Sequence, residues 1–125
     1  MNAVSVDESH LRKFQKELNA GLGALVLLAT LAEAQDPQYG YQIAKRLEQG
    51  DADSSVMKQG TLYPVLRSLS AAGLLDSYVE PSVSGPPRRY YTITDTGRAV
   101  LEQWKDAWVS TRDFVDAILK DNHHD

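Results

Sequence analysis

The side chains able to grip a phosphate or read a base edge fall in two short stretches. The first is Lys58-Gln59-Gly60-Thr61-Leu62-Tyr63-Pro64-Val65-Leu66-Arg67-Ser68-Leu69. The Thr61 and Ser68 hydroxyls suit phosphate or base edges, and Tyr63 can hydrogen-bond a phosphate. Arg67 can hold guanine through two parallel hydrogen bonds, or bind a phosphate. Lys58 and Gln59, just ahead, suit the same partners. The second stretch is Pro86-Pro87-Arg88-Arg89, two cations behind a stiff turn.

A helix must position the first set. At ~100° per residue, Leu62, Val65, Leu66 and Leu69 form one apolar stripe. Gly60, Pro64, Arg67 and Ala71 lie opposite, flanked by Thr61, Tyr63 and Ser68. Such a helix buries one face and lays small, hydrogen-bonding groups against another surface, as in the major groove of DNA. A solvated helix face is the competing reading of this stripe taken alone. Pro64 belongs in the first turn, where its missing N–H costs little, so the helix is predicted over Gly60 to Ala72. Gly73 closes it.

A hairpin must position the second set. Leu75-Asp76-Ser77-Tyr78-Val79-Glu80 alternates as a strand does, and so does Arg88-Arg89-Tyr90-Tyr91-Thr92-Ile93. The proline-rich segment between them can only be a loop. Arg88 and Arg89 point to opposite faces. Arg88, nearer the tip, is the better candidate for a phosphate or the minor groove, and Arg89 for pairing with Asp76 or Glu80. A charged edge that discourages aggregation is the plainer alternative for the pair. Tyr91 and Ile93 share a face and are expected in the core.

Upstream, Leu11, Phe14 and Leu18 recur at helical spacing, with Asp7 or Ser9 as a cap. Gly21 and Gly23 predict a break or kink near Asn19 to Gly23. Leu22 to Ala34 reads as a buried helix, and Tyr39 to Gln49 as an amphipathic one. Thr94 or Asp95 caps a last helix running to about Lys120. The expected organisation is an N-terminal helix over residues 1–20, a winged helix-turn-helix over 21–95, and a C-terminal dimerisation helix and tail over 96–125. The fold class is mainly α with a small β-hairpin wing.

In the last helix Leu101, Trp104, Trp108, Thr111, Val115 and Ile118 are spaced three, four, three, four and three residues apart. That is an a/d seam, which predicts a partner helix. The N-terminal helix, through Leu11, Phe14 and Leu18, is a candidate to join the interface. Between two subunits, Trp104 and Trp108 can stack on a small planar aromatic effector. Plain interface packing is the competing reading.

Composition narrows the function classes. The 125 residues carry a net charge of −4, which on its face argues against nucleic acid. From Tyr39 to Val100, however, there are seven cations and six acids, and after Val100 three cations and six acids. The acidity sits toward the ends, and DNA needs only a local basic stripe. The absence of cysteine removes disulfides, thiolate zinc sites and cysteine nucleophiles. His10, His123 and His124 lie near the termini with no fixed partner, so neither a metal nor a cofactor is expected, and no catalytic constellation appears. The longest apolar run, Ala20 to Ala32, is too short to span a bilayer, which predicts a soluble, cytoplasmic protein.

Four blocks then carry a resemblance. They are Tyr39-Gly40-Tyr41-Gln42-Ile43, Gly60-Thr61-Leu62-Tyr63-Pro64, Leu69 with Gly73-Leu74-Leu75, and Gly85-Pro86-Pro87-Arg88-Arg89-Tyr90-Tyr91-Thr92-Ile93-Thr94-Asp95 with Gly97. In this order, over roughly Leu22 to Leu119, the chain resembles the PadR family of bacterial transcriptional regulators, and its small subgroup in particular. The resemblance implies a homodimeric winged-helix repressor on an inverted repeat. It adds Tyr39 and Gln42 to the DNA-facing set. It also implies an effector site at Trp108, whose position is similar to that of a central tryptophan in a multidrug-sensing member. The chain departs from many relatives in carrying Tyr39 where they have His, and Lys58-Gln59 where they have Ser-Pro. A winged-helix interaction module without DNA, or a small enzyme with a deep polar pocket, are the alternatives.

Overall fold

Apolar residues at helical spacing set most of the chain's architecture, and the structure, a computed structural model, describes residues 6–48 and 59–122. In chain order the elements are α1 (Ser9–Glu33), β1 (Gln38–Tyr39), α2 (Gly40–Leu47), α3 (Gln59–Ala71), β2 (Leu75–Glu80), β3 (Arg88–Ile93) and α4 (Asp95–Asn122). The chain is mainly helical, with a small antiparallel wing and a long last helix. Residues 49–58, Lys58 among them, and the two C-terminal histidines lie outside the described residues. No helix among those described is long and apolar enough to cross a membrane.

The break expected between Asn19 and Gly23 does not occur. α1 is one helix of 25 residues, continuous through Asn19 to Gly23. A glycine in a helix interior costs about 1 kcal/mol relative to alanine. Full burial of one leucine returns about 1.5–3 kcal/mol, and Leu27, Leu28 and Leu31 of the same helix are all buried. Packing therefore outweighs propensity. Asp7 does act at the start of α1, accepting the Ser9 backbone N–H at 2.7 Å and the Ser9 hydroxyl. Those bonds hold its carboxyl below the usual range.

The hairpin is not two-stranded. β1 adds a third strand, in the order β1-β3-β2, with Gln38 opposite Tyr91 and Tyr39 opposite Tyr90. In the β2–β3 ladder Leu75 opposes Ile93, Ser77 opposes Tyr91, and Val79 opposes Arg89. These three rows share one face, which the buried Leu75 and Tyr91 turn toward the core. Asp76, Tyr78 and Glu80 share the other face with Arg88, Tyr90 and Thr92.

Leu27, Leu28, Ile43, Leu62 and Leu66 are fully enclosed at the centre of the domain. The α3 residues among them are the predicted stripe. α3 begins at Gln59, one residue before the expected start, and Pro64, well inside it, lies in the second turn rather than the first. Only the bond to the Gly60 carbonyl is forfeited, on an exposed face, which makes the proline tolerable.

At its other end α3 closes as predicted. The Leu74 N–H donates to Leu69 O at 3.0 Å and the Gly73 N–H to Ser70 O at 3.0 Å, with Gly73 at φ +80°. This is a Schellman closure, with Leu69 and Leu74 both buried. Thr94, not Asp95, caps α4: its hydroxyl accepts the Gly97 N–H at 2.9 Å and donates to the Gly73 carbonyl at 2.8 Å. Gly97 sits so close to the end of α3 that a Cβ there would overlap the Leu74 carbonyl oxygen.

Two glycine substitutions should therefore move stability in opposite directions. Gly97→Ala is expected to cost about 1–3 kcal/mol through overpacking. Gly21→Ala meets nothing within 4 Å in the subunit and should gain about 0.5–1 kcal/mol. Urea unfolding of both variants checks the pair, and equal effects would contradict the packing described.

Candidate nucleic-acid interface

One face of the domain gathers hydrogen-bond donors from five elements. α3 supplies Tyr63, Arg67 and Ser70, which fall at i, i+4 and i+7 on one side of the helix. The wing supplies Ser77, Pro87, Arg88, Arg89 and Tyr91, and the β1–α2 junction supplies Tyr39, Gly40 and Tyr41. Together they line an open groove of about 630 Å³. Among the described residues, neither Arg67, Arg88 nor Arg89 has a carboxylate within ion-pair distance. Three guanidinium groups thus line one groove without an ion pair among the described residues, although the chain as a whole is acidic.

The aromatic residues brace this face. Tyr39, Tyr90 and Tyr78 form a row across the three strands. Tyr39 meets Tyr90 edge-on at 5.4 Å, and Tyr90 stacks on Tyr78 at 5.5 Å. The Arg88 guanidinium lies 4.5 Å above the Tyr39 ring. Tyr39 also stacks with Tyr41, whose ring lies 5.8 Å from the Lys45 ammonium. Tyr63 packs so tightly on α2 that a Cβ on Gly40 would overlap its ring and hydroxyl. This contact ties the Tyr-Gly block of α2 to the Leu-Tyr-Pro block of α3. Burial raises the Tyr91 phenol above its ordinary range, with Arg89 and Arg67 opposing the shift.

The predicted contacts therefore divide. Tyr39, Tyr63, Arg67 and Arg88 meet at the groove. Thr61 and Ser68 are exposed on α3 but do not line it. The Gln42 side-chain oxygen Oε1 accepts the Tyr39 backbone N–H at 3.1 Å, so it serves as a helix cap first. Lys58 and the Gln59 side chain lie outside what is described. Arg89 is a correction. It donates to the Ser77 hydroxyl at 3.0 Å instead of pairing with Asp76 or Glu80. The pleat explains this, because both acids lie on the Arg88 face. The same parity was the missed signal: Arg89 shares a face with Tyr91, and that face opens toward α3. Ser70, Ser77 and Tyr41 were missed at the groove as well.

The second candidate region lies between α1 and α4. Leu101 is corrected from the seam to the subunit's own core, where it is 3% exposed, and Trp104 packs against that core. The start of α4 is held on the domain, so the first heptad is used internally. Beyond it Trp108, Val115 and Ile118 are exposed, as are Val109, Phe114 and Leu119, which the seam did not include. Thr111 is exposed too. Leu11, Phe14 and Leu18 of α1 are likewise uncovered. Trp104, Ala107, Trp108 and Thr111 face Leu18, Gly21, Leu22 and Leu25 across a cleft of about 460 Å³.

A helix presenting hydrogen-bonding groups beside a cationic wing defines a winged helix-turn-helix protein of the kind that docks on nucleic acid. The chain belongs to the PadR-like transcriptional regulator family, which residues 27–103 match. It is similar to the crystal structure of a PadR family transcriptional regulator from Eggerthella lenta, with 32% identity, 90% of this chain and 94% of that one covered, and a TM-score of 0.76. A transcriptional regulator from Clostridium thermocellum is 27% identical, with 81% and 96% covered and a TM-score of 0.70. A PadR-like regulator from Bacillus cereus is 27% identical, with 82% and 96% covered and a TM-score of 0.66.

The Arg88–Tyr39 contact yields a test. Tyr39→Phe keeps the ring and should leave DNA affinity nearly unchanged. Tyr39→Ala releases Arg88 and should cost about 0.5–1 kcal/mol, roughly two- to fivefold in Kd. Equal affinities for the two variants in fluorescence anisotropy would remove Tyr39 from the interface.

Proposed function

We propose that this regulator binds an inverted-repeat operator as a homodimer, represses transcription from it, and is released by a small planar aromatic effector. The observation that carries the DNA reading is the groove lined by Arg67, Arg88 and Arg89, with no acid paired to any of them among the described residues. α3 enters the major groove, where Arg67 reads a base, and Arg88 meets a phosphate or the minor groove. Two half-sites lie roughly 34 Å apart, one helical turn.

Two features support the homodimer. α4 has 28 residues, about 42 Å of helix, and is exposed throughout after Trp104. Trp108, Val109, Phe114, Val115, Ile118 and Leu119 lie there, more apolar surface than one soluble subunit usually leaves bare. The Trp104–Trp108 cleft supports the effector reading, because it offers indole faces in an apolar setting.

Arg67→Ala is expected to cost about 1–3 kcal/mol on operator DNA and to narrow the gap between operator and random sequence. Equal loss on both sequences would move Arg67 to the phosphate contacts. Val115→Lys with Ile118→Lys touches no core residue, and should give monomers in sedimentation that no longer bind the operator. A dimeric double variant would remove α4 as the interface. Planar aromatic compounds should quench tryptophan fluorescence and lower operator affinity in the native protein. Unchanged ligand affinity in Trp108→Ala would sink the effector site.

A further inference from the structure

We infer that the groove between α3 and the wing seats one backbone phosphate, with Arg89 and Ser70 as its donors. The inference rests on the DNA-binding reading and goes beyond it by assigning two residues and one atom class. If α3 lies in the major groove and the wing tip reaches the neighbouring minor groove, a phosphate backbone must run between them. The valley between helix and sheet therefore straddles a strand.

Three observations fit this valley to a phosphate. The Ser70 hydroxyl lies on the α3 wall of the groove, is buried, and has no hydrogen-bond partner in the structure. A buried donor without an acceptor is unfavourable, and a phosphate oxygen would satisfy it. Across the groove, Arg89 stands on the sheet face that carries Tyr91, and Ser77 anchors one arm of its guanidinium at 3.0 Å. The remaining N–H groups form a fork suited to phosphate geometry. Among the described residues, no carboxylate lines the groove to compete for them. Ser77 is thus a positioning residue, and Arg89 and Ser70 are the contacts.

The test uses the full chain, a duplex from upstream of its own gene and a random-sequence duplex, each titrated across a KCl series. Arg89→Ala should weaken both duplexes alike and reduce the salt slope by about one ion, while Arg89→Lys should keep the slope. Ser70→Ala should weaken binding roughly two- to tenfold. It should leave the melting temperature unchanged or raised, because it removes an unsatisfied hydroxyl. A single methylphosphonate placed between the helix and wing tracts should cancel the difference between native protein and Arg89→Ala. An unchanged slope in Arg89→Ala, with native binding intact, overturns the phosphate seat and leaves the DNA reading standing. So does a Ser70→Ala variant that binds as native. Native protein that binds neither duplex overturns both readings.

Discussion

The structure depends on one junction, where the end of α3, the start of β2, the end of β3 and the start of α4 share hydrogen bonds. Leu74 N–H closes α3 onto Leu69 O, Thr94 N–H pairs with Leu74 O at 3.1 Å, and the Thr94 hydroxyl links Gly73 O to the Gly97 N–H. Four element ends meet within two residue pairs, and the approach is close enough to exclude a side chain at Gly97. The bonds at the Leu69 carbonyl and the Gly97 N–H satisfy terminal backbone groups that the two helices would otherwise leave open. The direction of α4 relative to α3 and the wing is therefore set by backbone geometry rather than by adaptable side-chain packing.

The blocks legible in the sequence are the ones this junction requires. Gly73 was readable as the closing residue of α3 and Thr94 as one of two candidate caps, but the close approach that Gly97 permits depends on Leu74 across the fold. The α3 stripe was legible because Leu62, Leu66 and Leu69 keep a single period from exposed to buried positions. What stayed hidden depends on partners distant in the chain. A two-residue strand such as Gln38–Tyr39 has no period of its own and exists because β3 offers it an edge. The continuity of α1 through Gly21 and Gly23 is set by leucines one and two turns further on. Leu101 belongs to the seam by spacing and to the core by position, and only the packing of α4 on the domain separates the two. Arg89 was an error of face: the alternation was read correctly, then a partner was chosen from the wrong side of the sheet.

The groove explains how an acidic chain can present a basic surface. The pleat sends Asp76 and Glu80 to the face away from α3, and leaves Arg89 on the face that α3 borders. Arg88 shares the face of those two acids, with Glu80 opposite it in the ladder, yet its guanidinium lies over the Tyr39 ring and forms no ion pair among the described residues. A cation over an aromatic face is oriented without being neutralised, so its charge stays available to a phosphate. An ion pair in the same position would hold the side chain equally well and cancel the field that a nucleic acid needs. The row of tyrosines thus does mechanical work that acids do on many other surfaces.

The same connectivity limits how a ligand can act on the proposed reading. The cleft at Trp108 is walled by α1 and α4. α1 continues from the cleft into Leu27, Leu28 and Leu31 of the core, and α4 runs back about 20 Å from Trp108 to the junction at Thr94. From the cleft, α1 reaches the core and α4 reaches the junction before either meets a loop that could absorb a local shift. A molecule wedged between them must therefore change the tilt of whole helices, and the pinned start of α4 passes that tilt to α3. Such a molecule biases DNA binding only so far as it fits one tilt better than the other. A close-packed core has few intermediate arrangements, which favours two discrete settings of the reading helices over a graded one.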